Sequence, residues 1–386
     1  MTFLTEKALA FQHGAIREMF DYANRCFPNA INLGIGEPDM TTPAEVIEAA
    51  YAAMRAGYTH YTANKGILPL REKVAARICQ QNPAVSMTPD NILITMGGMG
   101  ALSEGLLVSL NPGDEVLVQD PEFLNYYGQV RLCDAVPVPV PLYEKDGFEI
   151  DPAEIEKRIS PKTKVLMLNS PHNPTGAVIS RKTTEQIAKL AVKHNLLVMS
   201  DEVYNPILYD GVEHYSIINE PGMQERTIIV NSFSKSFAMT GWRIGYAAGP
   251  ADMIDKMTIL QENLSSCVSS IAQYGALAAM DYPERSEEMR EIYRRRRDIL
   301  IDGLNSIPGI SCVKPKGAFY AFPNISALGK SSVDLANDLL EKCEVVTVPG
   351  SAFGEAGEGY IRISYANSEE NIRTALERIR KYVENL

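Results

Sequence analysis

Between about residues 90 and 250, short runs rich in valine and isoleucine alternate with stretches long enough to form amphipathic helices. This alternation is typical of βαβ units on a parallel sheet whose strands are buried on both faces. The predicted strands are 91–95, 115–119, 164–168, 196–200, 227–231 and 243–248. The predicted helices are 101–110, 124–132 and 181–194, and Asn111-Pro112-Gly113-Asp114 is a strong turn signal. The sequence therefore predicts an α/β fold with a mostly parallel sheet flanked by helices.

A second, smaller α+β region is predicted from about residue 285. Its first helix carries four consecutive arginines at 294–297, a charge run that is usual on a solvated helix face. A strand at Phe319-Tyr320, a helix over 333–343, a strand over 360–365 and a closing helix over 369–386 follow. The N-terminal segment to about residue 45 is too short to fold alone, so we expect it to pack on this region. The predicted domains are a larger one, 46–285, and a discontinuous smaller one, 1–45 with 286–386.

The composition allows a large core and excludes several classes of partner. Of 386 residues, 45% are hydrophobic, and 48 acidic residues against 37 basic ones give a formal charge of -11. An acidic balance spread along the chain argues against a nucleic-acid or anionic-membrane surface. No apolar run is long enough to span a bilayer, and the first residues show no cleavable signal pattern. We expect a cytoplasmic protein without nucleic-acid or membrane partners.

No metal site is predicted. The six cysteines lie far apart, and no pair has the C-x-x-C spacing that suits zinc or redox exchange. The five histidines form no H-x-x-x-H pair. We therefore expect reduced thiols and no bound metal.

A lysine follows the strand 227–231 in the segment Asn231-Ser232-Phe233-Ser234-Lys235-Ser236, and Arg243 comes eight residues later. A lysine just past the end of a buried strand, beside hydroxyls and an arginine, suits an aldehyde cofactor that also carries a phosphate. The same composition is common in solvated loops. Other segments have to distinguish the two interpretations.

Two more strand ends carry residues that suit such a cofactor, and ligands of α/β sheets bind beyond the carboxyl ends of strands. Asp201 follows strand 196–200, where it could pair with a protonated pyridine nitrogen, although a lone aspartate there is more often an N-cap. Tyr204 could hydrogen-bond the phenolic oxygen of the cofactor. Asn173, held extended by the proline after it, could donate to that oxygen or to a substrate carboxylate.

Glycines open a predicted helix after the strand 91–95, in Met96-Gly97-Gly98-Met99-Gly100-Ala101. Free backbone N–H groups and the positive helix end suit a phosphate there. The same glycines partly match a dinucleotide fingerprint, with Asp120 about twenty residues later as the ribose-binding acid. A nicotinamide enzyme is therefore an alternative, but it gives Lys235, Asp201 and Asn173 no common purpose.

Together these motifs resemble the fold-type I, class I/II pyridoxal-phosphate-dependent aminotransferases over nearly the whole chain. The resemblance implies a seven-stranded type of central sheet with a smaller α+β domain. S-x-S-K with the later G-W-R-x-G implies that Lys235 forms the Schiff base, with Ser232 and Arg243 on the cofactor phosphate. D-E-V-Y implies Asp201 on the pyridine nitrogen and Tyr204 on the phenolic oxygen.

The same resemblance assigns five further cofactor contacts. N-P-T-G implies Asn173 beside the phenolic oxygen, and G-G-x-G-A implies phosphate contacts from the backbone of Gly98 and Met99. Phe123, two places after Pro121, resembles the ring that stacks on the pyridine, usually Trp or Tyr in relatives. Tyr61 resembles the tyrosine that reaches the phosphate of the neighbouring subunit, which implies a homodimer with shared active sites.

Two residues resemble the substrate-binding residues of the family. Arg362 resembles the arginine that holds the α-carboxylate by a bidentate pair, and its other interpretation is an exposed strand arginine. Gly36 resembles the glycine whose backbone lies against that carboxylate. For a second carboxylate, no arginine stands out, although Arg17, Arg25 or the partner subunit could supply one.

The resemblance implies an aminotransferase that moves the amino group of an L-amino acid to a 2-oxo acid by a ping-pong mechanism. The default acceptor is 2-oxoglutarate or pyruvate, and aspartate, aromatic amino acids, alanine and modified diamino acids all remain possible donors. A pyridoxal-phosphate-dependent C–S β-lyase is the nearest alternative, because it can share these residues. Transcription regulators with a similar domain normally carry an added DNA-binding domain, and we expect none here because the aminotransferase pattern begins near residue 1.

Overall fold

The computed structural model describes residues 3–11, 22, 23, 25–123 and 125–386. A seven-stranded sheet lies at its centre, in the order β2-β8-β7-β6-β5-β3-β4. Only β8 runs antiparallel to its neighbours, so the predicted mostly parallel sheet is confirmed. The strands are β1 Ile31–Asn32, β2 Ile92–Thr95, β3 Glu115–Asp120, β4 Val136–Pro141, β5 Thr163–Asn169, β6 Leu197–Asp201, β7 Thr227–Ser232, β8 Gly245–Ala248, β9 Tyr320–Ala321, β10 Val345–Val346, β11 Val348–Pro349 and β12 Ile361–Ser364.

Helices cover both faces of the sheet. Those of the described residues are α1 Glu6–Ala10, α2 Ala44–Arg55, α3 Leu68–Gln81, α4 Gly97–Ser109, α5 Asn125–Leu132, α6 Pro152–Glu156, α7 Arg181–Lys193, α8 Phe233–Ser236, α9 Ala251–Leu264, α10 Ser270–Ala279, α11 Pro283–Asn305, α12 Ser332–Cys343 and α13 Glu369–Val383. The sequence prediction did not name α1, α2, α3, α6, α8, α9 or α10. Within the described ranges, no helix combines the length and apolar character needed to cross a bilayer.

Two strand predictions need correction. The strand predicted over 243–248 begins only at Gly245, because Arg243 has a φ of 52°, a left-handed conformation that no strand residue adopts. β4 was not predicted, because its sequence, VPVPVP, carries three prolines. It pairs with β3 alone, and an edge strand tolerates proline because one side of it needs no N–H donors.

The C-terminal part forms a smaller α+β layer that includes the N-terminal segment. A three-stranded antiparallel sheet has the order β11-β12-β9, and β1 pairs in parallel with β10. Leu33, Tyr293, Leu300 and Tyr365 are buried in one shared apolar cluster. This pairing agrees with the expected packing of the N-terminal segment, while the domain limits 46–285 and 1–45 with 286–386 stay a prediction.

This architecture brings several chain segments to one place. The parallel strands β3, β5, β6 and β7 end at the same edge of the sheet, and α4 starts there after β2. The irregular segment after β1 and the strand β12 lie opposite that edge and close a cavity against it.

Candidate active site

A cavity of about 540 Å³ lies between the strand ends and the smaller layer. All of the predicted site residues except Tyr61 line it: Gly36, Gly98, Met99, Phe123, Asn173, Asp201, Tyr204, Ser232, Lys235, Arg243 and Arg362. These residues are up to 326 positions apart in sequence, from Gly36 to Arg362. A volume of this size suits a small-molecule ligand of cofactor size.

Lys235 lies in the one-turn helix α8, directly after β7, and its side chain is partly open to the cavity. Its Nζ donates to the carbonyl oxygen of Gly36 at 2.6 Å. Burial lowers the pKa of Lys235 to about 8, Glu37 opposes this change, and Arg362 and Arg243 add to it. A fraction of the amine is therefore uncharged near neutral pH and available as a nucleophile or base.

Asp201 ends β6 as a buried carboxylate, with 5% of its surface exposed. Its Oδ2 accepts from Tyr126 Oη at 2.5 Å, and its Oδ1 accepts from the backbone N of Val203 at 3.2 Å. Burial raises its pKa to about 6, although both hydrogen bonds oppose the change. Among the described residues it has no ion-pair partner, so a ligand cation would relieve an unfavourable buried charge.

Arg362, on β12, is a buried cation without a carboxylate partner among the described residues. Its Nη1 donates to Asn173 Oδ1 at 3.0 Å and its Nη2 donates to the carbonyl of Gly34 at 2.6 Å. The guanidinium lies between the rings of Tyr320 and Phe353, 4.6 and 4.8 Å from their centroids. Burial lowers its pKa, since no anion compensates the charge. This geometry suits a planar anion such as a substrate carboxylate.

Tyr204 connects the cofactor side of the cavity with Arg362. Its hydroxyl is 2.8 Å from that of Tyr320, whose ring lies against Arg362. Asn173 presents its carbonyl oxygen to Arg362, so its NH₂ group is left to donate to a ligand. Both Tyr204 and Asn173 are buried at the cavity wall.

One end of the cavity combines backbone donors with an arginine. The helix α4 starts at Gly97, whose φ is 66°, and continues with Gly98 and Met99. A Cβ on Gly97 would lie 2.7 Å from Arg243 Nη2, so only glycine lets the guanidinium approach the helix terminus so closely. Helix N-terminus and arginine together form an anion site. The hydroxyl of Ser232 lies 2.8 Å from Ser234 Oγ and 3.0 Å from the carbonyl of Ile244, so its hydrogen bonds are made within the protein and do not point to a ligand.

Two tyrosines of the site were not predicted. Tyr126 is buried in α5, packs edge-on against Phe123 at 5.5 Å and donates to Asp201. Its place one turn after Phe123 was the available signal. Tyr320 was predicted only as a strand residue, and its contact with Arg362 depends on the pairing of β9 with β12.

The structure does not bring Tyr61 or the arginines proposed for a second carboxylate into the cavity. Tyr61 is 90% exposed and lies outside this cavity, beside a separate groove with Cys267 and Ser269. For the second carboxylate, Arg25 does not line the cavity, and Arg17 lies outside the described residues. Leu124, the predicted first residue of α5, also lies outside them.

The model of the family described as "Aminotransferase class I and II" matches residues 28–379. The chain belongs to this family. Its class I/II aminotransferase scaffold explains why the strand ends, the helix α4 and the strand β12 converge on one cavity.

Individual relatives are similar over nearly their full length. An aromatic-amino-acid aminotransferase 2 of Thermococcus litoralis and an aspartate aminotransferase of Pyrococcus abyssi are each 45% identical over 370 residues, covering 95% of this chain and 94% of the relative. The crystal structure of an aromatic aminotransferase from Pyrococcus horikoshii has a TM-score of 0.90 at 43% identity, covering 96% of this chain and 99% of that one.

The family membership makes the protein an aminotransferase with the fold-type I architecture. The nicotinamide alternative also has no support in the geometry. Asp120, its expected ribose-binding acid, does not line the cavity and instead accepts from the backbone N of Ala356 at 3.4 Å.

Proposed function

We propose that this aminotransferase binds pyridoxal 5'-phosphate in the cavity and uses it to move the amino group of an L-amino acid to a 2-oxo acid in a ping-pong cycle. The observation that carries the proposal is the joint placement of a partly uncharged lysine, an unpaired buried aspartate and an unpaired buried arginine around one cavity.

The residues fit this cofactor at three points. Asp201 has no cation partner among the described residues, and a protonated pyridine nitrogen would supply one. The start of α4 with Arg243 offers backbone donors and a guanidinium to a phosphate. Phe123 lines the cavity and would stack on the ring without donating a hydrogen bond. Ser232 would contact the phosphate only after its hydroxyl turns away from Ser234 and Ile244.

When bound, pyridoxal phosphate supplies an aldehyde for covalent exchange with amines and a ring that withdraws electrons from the substrate α-carbon. Lys235 Nζ would accept the proton that leaves the substrate α-carbon and pass it to the carbon that came from the cofactor aldehyde, since its pKa of about 8 keeps both protonation states accessible. Asn173 and Tyr204 orient the reacting end by donating hydrogen bonds from the cavity wall. Tyr126 holds the carboxylate of Asp201 in place.

Arg362 would bind the α-carboxylate of both the amino acid and the oxo acid, with Gly36 lying beside it. The named relatives act on aspartate or on aromatic amino acids, so these donors are the first to test, with 2-oxoglutarate and then pyruvate as acceptors. The cations that line the described cavity are Lys235, Arg243 and Arg362. A side-chain carboxylate would therefore need a further cation, from the partner subunit or from Arg17.

A homodimer with shared active sites is part of this proposal. Ile47, Tyr51 and Met54 are all exposed, by 40 to 54%, and their spacing puts them on one face of α2. Tyr61, exposed by 90%, follows this helix in sequence. An apolar helix face left in water favours burial against a second copy, which would carry Tyr61 toward the neighbouring phosphate site. A cytoplasmic location stays a prediction.

The test is the visible absorption spectrum of the purified protein with pyridoxal phosphate, before and after an amino acid is added without an acceptor. We expect a yellow protein that bleaches with the donor and regains its colour with 2-oxoglutarate. The variant Lys235→Ala should not do this, whereas Lys73→Ala should behave as the parent protein, because Lys73 is a half-exposed lysine paired with Asp281 outside the cavity. A protein that stays colourless with the cofactor would refute the proposal.

A further inference from the structure

The segment between β1 and α2, residues 33–43, has no regular secondary structure, yet it contacts two of the three cations that line the cavity. The carbonyl of Gly34 accepts from Arg362 Nη2, and the carbonyl of Gly36 accepts from Lys235 Nζ, each at 2.6 Å. No helix or strand ladder holds these carbonyls, so their positions depend on how the segment is anchored to the rest of the protein.

The segment has a charged anchor outside the cavity. The two carboxylate oxygens of Asp39 accept from Arg296 Nη1 and Nη2 at 2.7 and 2.9 Å, a parallel bidentate pair. The side chain of Arg296 is 11% exposed and that of Asp39 is 30% exposed, so solvent screens the pair only in part. Arg296 belongs to the 23-residue helix α11, which is a rigid support.

The segment also has little room to move on its cavity side. A Cβ on Gly36 would overlap Tyr320 Oη, so the backbone already lies against this hydroxyl group. The ring of Tyr320 lies against the guanidinium of Arg362. A shift of the segment would therefore displace both the carbonyl and the ring that orient Arg362.

We propose that the ion pair between Asp39 and Arg296 positions the substrate-carboxylate site, by fixing residues 34–39 and through them the guanidinium of Arg362. Neither residue lines the cavity, so both are positioning residues that act through Gly34 and Gly36. This inference rests on the proposed role of Arg362 as the α-carboxylate ligand. It adds a determinant of substrate affinity that lies outside the cavity.

The experiment compares Asp39→Asn, Arg296→Gln and the double variant with Arg294→Gln, a matched control two residues away whose partners are Glu291 and Asp298. Misplacing the guanidinium by a fraction of an ångström should raise KM for donor and acceptor about 10-fold to 100-fold. The pyridoxal-phosphate Kd should change far less, because the phosphate and pyridine contacts lie elsewhere. The control should leave KM unchanged.

The double variant and Arg296→Lys sharpen the test. The double variant should be no worse than either single variant, because the pair acts as one unit, and it leaves no unpaired charge if a single variant folds poorly. Arg296→Lys should regain only part of the affinity, since lysine keeps the charge but lacks the parallel donors. An equal weakening of substrate and cofactor binding would overturn the inference, because it would make the pair a general structural brace.

Arg362→Lys separates this inference from the proposed function. If Arg362→Lys raises KM and the Asp39 and Arg296 variants do not, the positioning inference is wrong and the role of Arg362 stands. If KM is unchanged in all of them, the assignment of Arg362 as the carboxylate ligand is wrong, and the inference fails with it. A raised KM in all of them, with the control unaffected, supports both.

Discussion

Asp201→Asn should stabilise the apoprotein at neutral pH while it weakens cofactor binding. Asp201 is buried, and without a cofactor its carboxylate has only Tyr126 Oη and the backbone N of Val203 as hydrogen-bond partners. Asparagine has nearly the same shape: its Oδ1 can accept from the backbone N of Val203, and its NH₂ group can donate to Tyr126 Oη, which then accepts instead of donating. The substitution therefore removes the cost of burying an uncompensated charge.

The size of the effect follows from the pKa of Asp201. Burial is the main cause that raises it from 3.8 to about 6, and one pH unit corresponds to about 1.36 kcal/mol. Asp201 therefore lowers the free energy of unfolding by about 3 kcal/mol at neutral pH. The folded state binds the extra proton between pH 4 and 6, so the penalty is absent below pH 4, grows through this window and is constant above it.

The assay is urea unfolding of the apoprotein from pH 4 to 8, at one protomer concentration for all variants. The gain in Asp201→Asn should be near zero at pH 4 and about 3 kcal/mol above pH 6. Glu202→Gln is a matched control of opposite sign. Burial raises the pKa of Glu202, but the contacts with His214, Ser216 and Ser200 lower it by more, so the net pKa is below its usual value. The charged carboxylate therefore stabilises the folded state, and Glu202→Gln should lose stability at neutral pH. A pH-independent gain in Asp201→Asn would refute the reasoning.

Three further predictions concern the site and the assembly. The rate at which apoprotein recombines with pyridoxal phosphate should rise with pH and level off above about pH 8, because only the uncharged amine of Lys235 reacts. Stopped-flow absorbance measures this rate, and a pH-independent rate would contradict the prediction. Tyr126→Phe removes a hydrogen bond worth about 1.5–3 kcal/mol to a charged group, so the free energy of unfolding of the apoprotein at neutral pH should fall by about that amount in urea unfolding, and an unchanged stability would exclude this support role. Tyr51→Glu on the exposed face of α2 should shift the protein toward monomers in analytical ultracentrifugation, whereas Tyr143→Glu, also exposed but distant in sequence, should not.

The central sheet could be predicted because its strands are short apolar runs separated by clear turn signals. β5, β6 and β7 were placed to within one or two residues for this reason. β4 could not, because proline argues against a strand unless its position at the sheet edge is known. The helices α9 and α10 follow the last strand of the central sheet, so the alternation of strands and helices does not predict them.

The candidate site was predictable where its chemistry is local in sequence. Asp201 ends a strand, Lys235 and Asn173 lie within four residues after one, and the shared edge of a parallel sheet brings such residues together. Tyr320 and the carbonyl of Gly34 depend instead on how β12, β9 and the N-terminal segment pack, which no local pattern encodes. The role of Tyr61 stays a prediction, since it needs a second subunit.

Reduction with borohydride in the presence of pyridoxal phosphate, followed by peptide mapping, tests the central claim most directly. The account predicts that one lysine per chain gains the mass of a pyridoxyl phosphate group and that this lysine is Lys235, the lysine that lines the cavity. Addition of an amino acid before reduction should protect Lys235. A stable adduct at another lysine, with Lys235 unmodified, would contradict the account.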